Sequence, residues 1–319
     1  MSNIDSFVVQ YSTAPNCNGT CKFCLIRQNE FYNKEQMLTS LNAIIDNIKF
    51  ISTQPENWTN KYADGISILG GESYYITDKW YKDKFLELVD VAIEYVLKKS
   101  PSFRCKFSSV TNGNYDPNNL LYPTVDKIVN SVGIRYVDIN FSYDFNYRFN
   151  SKKQEKRVRD NINDFHKRYN YGVGIQMVLT DEVLDKFLDG WNPDKWIDEN
   201  FPGCQISFLY PHKINRGLNY NNGKELDHFW FTRSKFLKFL DRLSVDNPIV
   251  LQRLYSSVEH SGVYKYTGLY TKTDMNPTET PRLSDGKEII NQNCNHSELY
   301  KCYKDSDKCI LCDLESYIV

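Results

Sequence analysis

The sequence has no long run of apolar residues and no excess of charge of one sign. Its 319 residues include 39 Lys and Arg against 40 Asp and Glu, a formal net charge of −1. No apolar stretch approaches the roughly 20 residues that a membrane-spanning helix needs, so we expect no membrane association. The balanced charge disfavours a large nucleic acid as a partner, without excluding one that binds a local basic groove.

The first residues also lack the basic segment followed by an apolar segment that typifies a secretory signal peptide. We therefore expect a cytoplasmic protein, in a compartment where thiols stay reduced. The chain has nine cysteines, and in such a compartment clustered cysteines indicate metal binding rather than disulfides. Seven of the nine lie in two clusters, whereas Cys105 and Cys204 stand alone and are predicted to be small buried hydrophobic residues.

Strand-like and helix-like segments alternate along the first two thirds of the chain. The predicted strands are 6–11, 65–69, 105–110, 136–142, 174–180 and 205–210. The predicted helices between them are 34–51, 82–98, 120–132, 156–169 and an interrupted stretch at 182–200. Such alternation implies an α/β fold whose parallel strands are joined by right-handed crossovers.

The rhythm of strands and helices breaks after Pro211. One more helix is predicted over 229–243, and the remaining residues are irregular. We therefore predict an α/β domain over residues 1–215 and a small, irregular, Cys-rich C-terminal extension over residues 216–319. In parallel α/β sheets and barrels, functional residues lie at the carboxyl ends of the strands.

The first of the two cysteine clusters follows the first predicted strand. Cys17, Cys21 and Cys24 have the spacing C-x3-C-x2-C. Iron–sulfur clusters are held by Cys thiolates, and short spacings allow one loop to supply several of them. Three ligands would leave one iron open to a further molecule. The alternatives are free thiols and a zinc knuckle, although structural zinc sites usually have four ligands and C-x2-C pairs.

Three further motifs follow the next three predicted strands. They are Gly70-Gly71-Glu72, Thr111-Asn112-Gly113 and Ser142-Tyr143-Asp144. Paired glycines allow a backbone to approach a ligand closely, and a nearby acid can pair with an amine. Taken singly, each motif is equally typical of a turn whose Asn, Ser or Asp caps the next helix.

In their order along the chain, the four motifs resemble those of the radical S-adenosylmethionine (SAM) superfamily. The resemblance spans roughly residues 6–211, and Phe23 matches the aromatic residue usually found before the third cysteine. It implies a partial (β/α)6 TIM-like barrel. It also implies that Cys17, Cys21 and Cys24 hold a [4Fe–4S] cluster, with the methionine part of SAM on the fourth iron.

The resemblance further implies a set of SAM-binding residues. Gly70, Gly71 and Glu72 would hold the amino group of SAM. Ser142 and Asp144 would lie near its ribose or carboxylate, with Asn112 close by. Arg148 would match an arginine that some members place on the SAM carboxylate. The predicted strands at 173–178 and 205–211 would flank the adenine.

The chemistry that the resemblance implies is reductive. An electron donor such as flavodoxin or ferredoxin would reduce the cluster, which would cleave SAM to a 5′-deoxyadenosyl radical. That radical would abstract hydrogen from a substrate carbon, while the protein positions the reactants and excludes water. No residue is assigned as a general base.

The second cysteine cluster lies near the C-terminus. Cys294, Cys302, Cys309 and Cys312 fall within nineteen residues. Four thiolates suit either a second [4Fe–4S] cluster or tetrahedral zinc. A purely structural set of thiols is the remaining alternative. A radical SAM barrel followed by C-terminal cysteines resembles the SPASM and twitch families, which carry auxiliary clusters. The four cysteines suffice for one such site, so the twitch-like description fits better.

Three functions remain open at this stage. The first is an enzyme that modifies a peptide or protein, because SPASM-like and twitch-like members often do so. The second is an enzyme that modifies a nucleotide, a nucleobase or a small metabolite. The third is a zinc-binding interaction protein without catalysis, which would explain the cysteines but not the ordered motifs.

Overall fold

Six parallel strands form the centre of the molecule. The computed structural model describes residues 7–13, 16–19, 21, 31–52, 63–69, 71–98, 106–145, 148–209 and 238. The strands are β1 (Phe7–Ser12), β2 (Ala63–Leu69), β3 (Lys106–Thr111), β4 (Val137–Ser142), β5 (Gly174–Val178) and β6 (Gln205–Leu209). Each strand pairs in parallel with the next, in the order β1-β2-β3-β4-β5-β6. This sequential parallel order is that of a partial (β/α) barrel and confirms the predicted fold class.

Helices connect the strands. They are α1 (Lys34–Ser52), α2 (Lys79–Ala92), α3 (Leu121–Val132), α4 (Lys152–Tyr169), α5 (Asp181–Leu188) and α6 (Pro193–Asn200). A π-helical turn over Ile93–Leu97 extends α2, and short 3-10 turns cover Ser73–Tyr75 and Ile134–Tyr136. Among the described helices, none is both long and apolar enough to cross a membrane.

The core lies between the sheet and the helices. In β3 the exposed fraction alternates residue by residue, so that Phe107, Ser109 and Thr111 point inward. The helices contribute apolar stripes at helical spacing, such as Tyr81, Phe85 and Leu88 on α2, all fully buried. Apolar burial of this kind is the main stabilising contribution to the fold and holds the strand ends in a defined arrangement.

Three predicted helices have different bounds in the structure. The helix predicted at 82–98 begins at Lys79, as α2. The predicted helix at 156–169 begins earlier, because Ser151 caps α4 by accepting a hydrogen bond from the Gln154 backbone N–H at 3.3 Å. Its first turn is exposed, so the apolar periodicity does not reveal it. The interrupted helix predicted at 182–200 is two helices, α5 and α6. The turn between them contains Gly190 at φ +95°, and Asn192 caps α6.

Several predicted features lie outside the described residues. They are Cys105, the helix at 229–243 apart from Lys238, and the C-terminal cysteines. The division into residues 1–215 and 216–319 therefore stays a prediction. Cys204 is described, and it is 8% exposed within the hydrophobic core, as predicted for a small hydrophobic residue. Burial raises the pKa of its thiol.

Candidate functional site

The four motifs lie along one edge of the sheet. The cysteine loop follows β1, Gly71 and Glu72 follow β2, and Asn112 follows β3. Ser142 is the last residue of β4 and pairs with Gln176 of β5. Because all the strands run in parallel, their carboxyl ends lie at the same edge. The fold therefore brings together residues that are up to about 130 positions apart in the sequence, such as Cys21 and Arg148.

Two thiols of the cysteine loop face a common point. A Cβ atom added at Gly19 would lie 3.3 Å from the Cys17 Sγ and 3.6 Å from the Cys21 Sγ. The third cysteine of the motif, Cys24, and the neighbouring Phe23 lie outside the described residues. Among the residues that are described, no group of three His, Cys, Asp or Glu side chains is close enough to hold a metal ion.

Hydrogen-bond donors surround both thiols. The Cys17 Sγ lies 3.2 Å from the Gly19 backbone N and 3.5 Å from the Asn112 Nδ2. The Cys21 Sγ lies 3.4 Å from the Arg148 Nη1. Donors at this distance stabilise a thiolate relative to a thiol, and the thiolate is the form that binds metal. The described part of the loop therefore fits an iron–sulfur cluster in its donor atoms and in its surroundings.

Asn112 links the cysteine loop to the end of β3. Its Nδ2 also donates to the Asn18 Oδ1 at 2.9 Å, and its Oδ1 accepts a hydrogen bond from the Asn114 backbone N–H at 2.8 Å. The Asn18 Nδ2 in turn donates to the Asn114 carbonyl oxygen at 2.6 Å. The three asparagines form a closed network, so the side chain of Asn112 has one defined orientation beside Cys17.

Glu72 is buried and its carboxylate faces the end of β3. Its Oε2 accepts hydrogen bonds from the Asn112 backbone N–H at 2.6 Å and from the Thr111 hydroxyl at 2.9 Å. Its Oε1 accepts from the Tyr74 backbone N–H at 3.2 Å. Burial raises the pKa of Glu72 to about 7, against the lowering effect of these hydrogen bonds. The carboxylate thus links the end of β2 to the end of β3. Its three named hydrogen-bond donors are all groups of the protein itself.

Asn16 connects the same region to the start of α1. The Glu72 backbone N–H donates to the Asn16 carbonyl oxygen at 2.7 Å. The side chain of Asn16 makes two hydrogen bonds with the backbone of Tyr32, at 2.8 and 3.1 Å. The residue before the first cysteine therefore holds both ends of the loop in which the cysteines lie.

Asp144 and Arg148 form a buried ion pair. The Arg148 Nε lies 2.7 Å from the Asp144 Oδ2, and the two side chains are 12% and 2% exposed. The Asp144 Oδ1 accepts a hydrogen bond from the Val178 backbone N–H at 2.7 Å. Burial raises the pKa of Asp144, while Arg148 opposes this rise. Asp144 therefore positions the guanidinium of Arg148 beside Cys21. Ser142, the last residue of β4, is also buried.

A cleft opens beside the Cys21 thiol. Three of the predicted site residues line it, namely Cys21, Asn112 and Arg148. Its other lining residues are Asn18, Gly19, Asn114, Phe149, Asn150 and Gln154. The Asn114 Oδ1 is buried and has no hydrogen-bond partner among the described residues. An unsatisfied buried acceptor costs free energy, and a bound group with an N–H or O–H donor would satisfy it.

Sequence reasoning missed the asparagines of this site. Asn18 directly follows Cys17, and Asn114 directly follows Gly113. Their positions in or beside the motifs could therefore have identified both as site residues. Asn161 on α4 has no such signal. Its Nδ2 donates to the carbonyl oxygens of Gly113 and Tyr115, both at 2.8 Å, and thereby fixes the loop after β3.

Comparison with solved structures shows which known folds this one resembles. HydG, a maturase of the [FeFe]-hydrogenase, matches 98% of this chain and 69% of its own length, with a TM-score of 0.51 and 10% identity. Streptococcus suis SuiB bound to S-adenosylmethionine matches with a TM-score of 0.48 and 14% identity, over 76% of this chain. SuiB bound to its precursor peptide SuiA matches with a TM-score of 0.48 and 12% identity, over 86% of this chain.

The chain spans about half the length of SuiB, 47% and 54% in the two comparisons. No protein-family model matches the sequence, and no curated protein does either. At these identities the similarity concerns the fold alone. The fold is a partial (β/α) barrel similar to that of HydG. The resemblance indicated by the sequence motifs is thus confirmed at the level of the fold.

Proposed function

We propose that this protein is a radical SAM enzyme that uses a [4Fe–4S] cluster on Cys17, Cys21 and Cys24. The observation that carries the proposal is the convergence of the Cys17 and Cys21 thiols at the carboxyl edge of a parallel partial barrel, each beside an N–H donor. When bound, the cluster and SAM supply one-electron chemistry that generates a 5′-deoxyadenosyl radical.

The residues of this chain would bind and orient SAM. The cleft beside Cys21 offers an acceptor in the Asn114 Oδ1 and a cation in Arg148. The acceptor suits the amino group or a ribose hydroxyl of SAM, and the cation suits its carboxylate. Gly71 and Ser142, at the neighbouring strand ends, stay in the proposed SAM-binding set. Gly70 and Phe23, which lie outside the described residues, stay in it as well.

Glu72 and Asp144 contribute to the proposed site through other residues. Glu72 holds the backbone of Asn112, and Asp144 holds the guanidinium of Arg148. Both carboxylates lie behind the cleft-lining residues and would keep those residues in place when SAM binds. This arrangement supports a positioning role for Glu72, in addition to the contact with the SAM amino group that the motif suggests.

The substrate is proposed to be a peptide or protein. The proposal rests on the resemblance of Cys294, Cys302, Cys309 and Cys312 to the cysteines of SPASM and twitch members, which hold a second [4Fe–4S] cluster. A flavodoxin or a ferredoxin would donate the electron. Structural zinc at the C-terminal cysteines, and a nucleotide or small metabolite as substrate, are the alternatives that the experiments below separate.

The test is anaerobic reconstitution with iron and sulfide, followed by counts of iron, sulfide and zinc per chain. We expect about eight irons in the wild type and about four in the variant that carries Cys17→Ala, Cys21→Ala and Cys24→Ala. The matched control is Cys204→Ala, which removes a core thiol and should keep all the iron. With dithionite and SAM, the wild type and the control should form 5′-deoxyadenosine, and the triple variant should form none.

Two other metal contents would lead to different conclusions. About four irons and one zinc would keep the radical SAM assignment and make the C-terminal site structural. Zinc without iron in the wild type would contradict the proposal and favour a zinc-binding interaction protein. Deuterium transfer from labelled peptides, compared with labelled nucleosides, to 5′-deoxyadenosine would decide the substrate class.

A further inference from the structure

The side chain of Asn112 donates to a sulfur atom that the proposed cluster uses. The Asn112 Nδ2 lies 3.5 Å from the Cys17 Sγ, across 95 residues of sequence. The motif comparison places Asn112 near SAM and assigns it no contact with a cysteine. The structure thus shows a second donor on Cys17, besides the Gly19 backbone N–H at 3.2 Å.

The orientation of the carboxamide follows from its partners. The Asn112 Oδ1 faces the backbone N–H of Asn114, which can only donate. A flipped carboxamide would place two donors face to face, so the oxygen must lie on that side. The NH2 group therefore faces Asn18 and Cys17, and each of its hydrogens has an acceptor.

The rest of the network holds Asn112 in place. Its backbone N–H donates to the buried Glu72 carboxylate at 2.6 Å, and the residue is 8% exposed. Because both its backbone and its side chain are fixed, Asn112 presents a preorganised donor to Cys17. A donor that needs no reorganisation stabilises added negative charge most effectively.

We propose that Asn112 is a positioning residue that raises the reduction potential of the cluster through its hydrogen bond to the Cys17 thiolate. The inference rests on the proposed function, because it requires the cluster. Reduction adds one electron from the donor to the cluster, and no bond or proton is transferred. The added charge spreads onto the sulfur atoms, so a hydrogen bond to a ligand sulfur stabilises the reduced form more than the oxidised form.

Arg148 also donates to a ligand sulfur, on Cys21, but it is a poor probe of this effect. It forms a buried ion pair with Asp144, and its removal would leave that carboxylate without its cation. Asn112 is neutral, and its replacement by leucine removes the donor without leaving a buried charge unpaired. The test therefore uses Asn112.

The experiment measures the midpoint potential of the cluster on Cys17, Cys21 and Cys24, in the reconstituted full chain without SAM, by a redox titration followed by electron paramagnetic resonance. The signal of this cluster is the one that the variant with Cys17→Ala, Cys21→Ala and Cys24→Ala lacks. Asn112→Leu removes the donor at similar size, and Asn112→Asp replaces it with a carboxylate of the same shape. We expect Asn112→Leu to shift the reduction equilibrium about tenfold toward the oxidised form, about 59 mV for one electron. Asn112→Asp should shift it further, because a negative charge would then face the thiolate.

The matched control is Asn118→Leu in the same loop. Asn118 is exposed, and its side chain donates to Asp116 at 2.9 Å. We expect its potential to equal that of the wild type. A variant that merely loosened the site would admit water and raise the potential, so the direction of the shift separates the proposed role from a structural one.

Three outcomes would overturn the inference. One is an unchanged or raised potential in both Asn112 variants at full iron content. Another is weaker SAM binding with an unchanged potential, which would make Asn112 a SAM ligand. The third is the loss of iron from both variants, which would make Asn112 a residue for cluster retention. A wild type without iron would instead contradict the proposed function itself.

Discussion

Gly19 lies next to both of the described thiols. A Cβ at this position would lie 3.3 Å from the Cys17 Sγ, which is closer than almost all real Cβ contacts. The same atom would lie 3.6 Å from the Cys21 Sγ. The proposed cluster must contact both sulfur atoms. Glycine at position 19 has no side chain that would hinder the two thiols from turning toward the cluster.

Gly19→Ala should therefore weaken cluster binding while leaving the fold intact. The added methyl group would crowd the Cys17 thiol and fill space beside the Cys21 thiol, and we expect about a tenfold or greater loss of cluster affinity. Iron retained after gel filtration, measured with and without a chelator, checks this expectation.

The control for Gly19→Ala is Gly133→Ala at the end of α3. Gly133 has φ +102°, a conformation that alanine adopts only with strain, and no atom lies within 4 Å of its Cβ position. This substitution should lower the free energy of unfolding by about 1–3 kcal/mol and leave the iron content unchanged. Equal iron retention in Gly19→Ala and the wild type would contradict the proposed placement of the cluster.

At the scale of elements, α4 supports the loop after β3. Asn161 on α4 is 8% exposed, and its Nδ2 donates to the carbonyl oxygens of Gly113 and Tyr115. The preceding turn of the helix carries Val158, which packs in the core. The helix thus fixes the loop that carries Asn112 and Asn114, through one side chain that satisfies two buried backbone acceptors.

Replacing Asn161 by leucine should leave both carbonyl oxygens without a partner. The expected loss is about 2 kcal/mol in the free energy of unfolding, measured with urea, because unsatisfied buried acceptors are costly. Asn163→Leu is the matched control, since Asn163 is exposed on the same helix. An equal loss of unfolding free energy in the two variants would mean that the hydrogen bonds from Asn161 to the loop do not stabilise the fold.

At the scale of the whole molecule, Glu72 couples stability to pH. It joins the cysteine loop, β2 and β3 through Asn16, Tyr74, Thr111 and Asn112. Burial raises its pKa from 4.5 to about 7 in the folded state. As the pH rises through this window, the unfolded chain releases the proton first, and the folded chain retains it. The free energy of unfolding therefore falls from about pH 4.5 to about pH 7 and levels off above.

We expect this fall to be on the order of 3 kcal/mol in the wild type, from a shift of this size. Glu72→Gln should be less stable than the wild type at low pH but should lack this fall, because glutamine does not titrate. Urea unfolding of both proteins at about pH 5 and about pH 8 measures the difference. Parallel pH dependences in the two proteins would show that Glu72 does not govern the stability in this range.

The sequence alone determined the order and type of the elements. Apolar periodicity predicts each described strand from β1 to β6 and each described α-helix, with α5 and α6 as one interrupted stretch, because a buried face repeats every second residue in a strand and every three to four in a helix. The alternation of strands and helices in turn predicts the parallel sheet. Since parallel strands end at one edge, the sequence also predicts that the four motifs meet there.

The tertiary structure decided which side chains bond to which. Thr111 and Asn112 bind the Glu72 carboxylate, and Asp144 binds Arg148, although the motifs suggested that SAM is the partner of these acids. The contact that Asn161 makes with the loop after β3 was equally hidden. These bonds join residues from separate elements, so they depend on distances of a few ångströms that packing alone sets, and no local pattern encodes them.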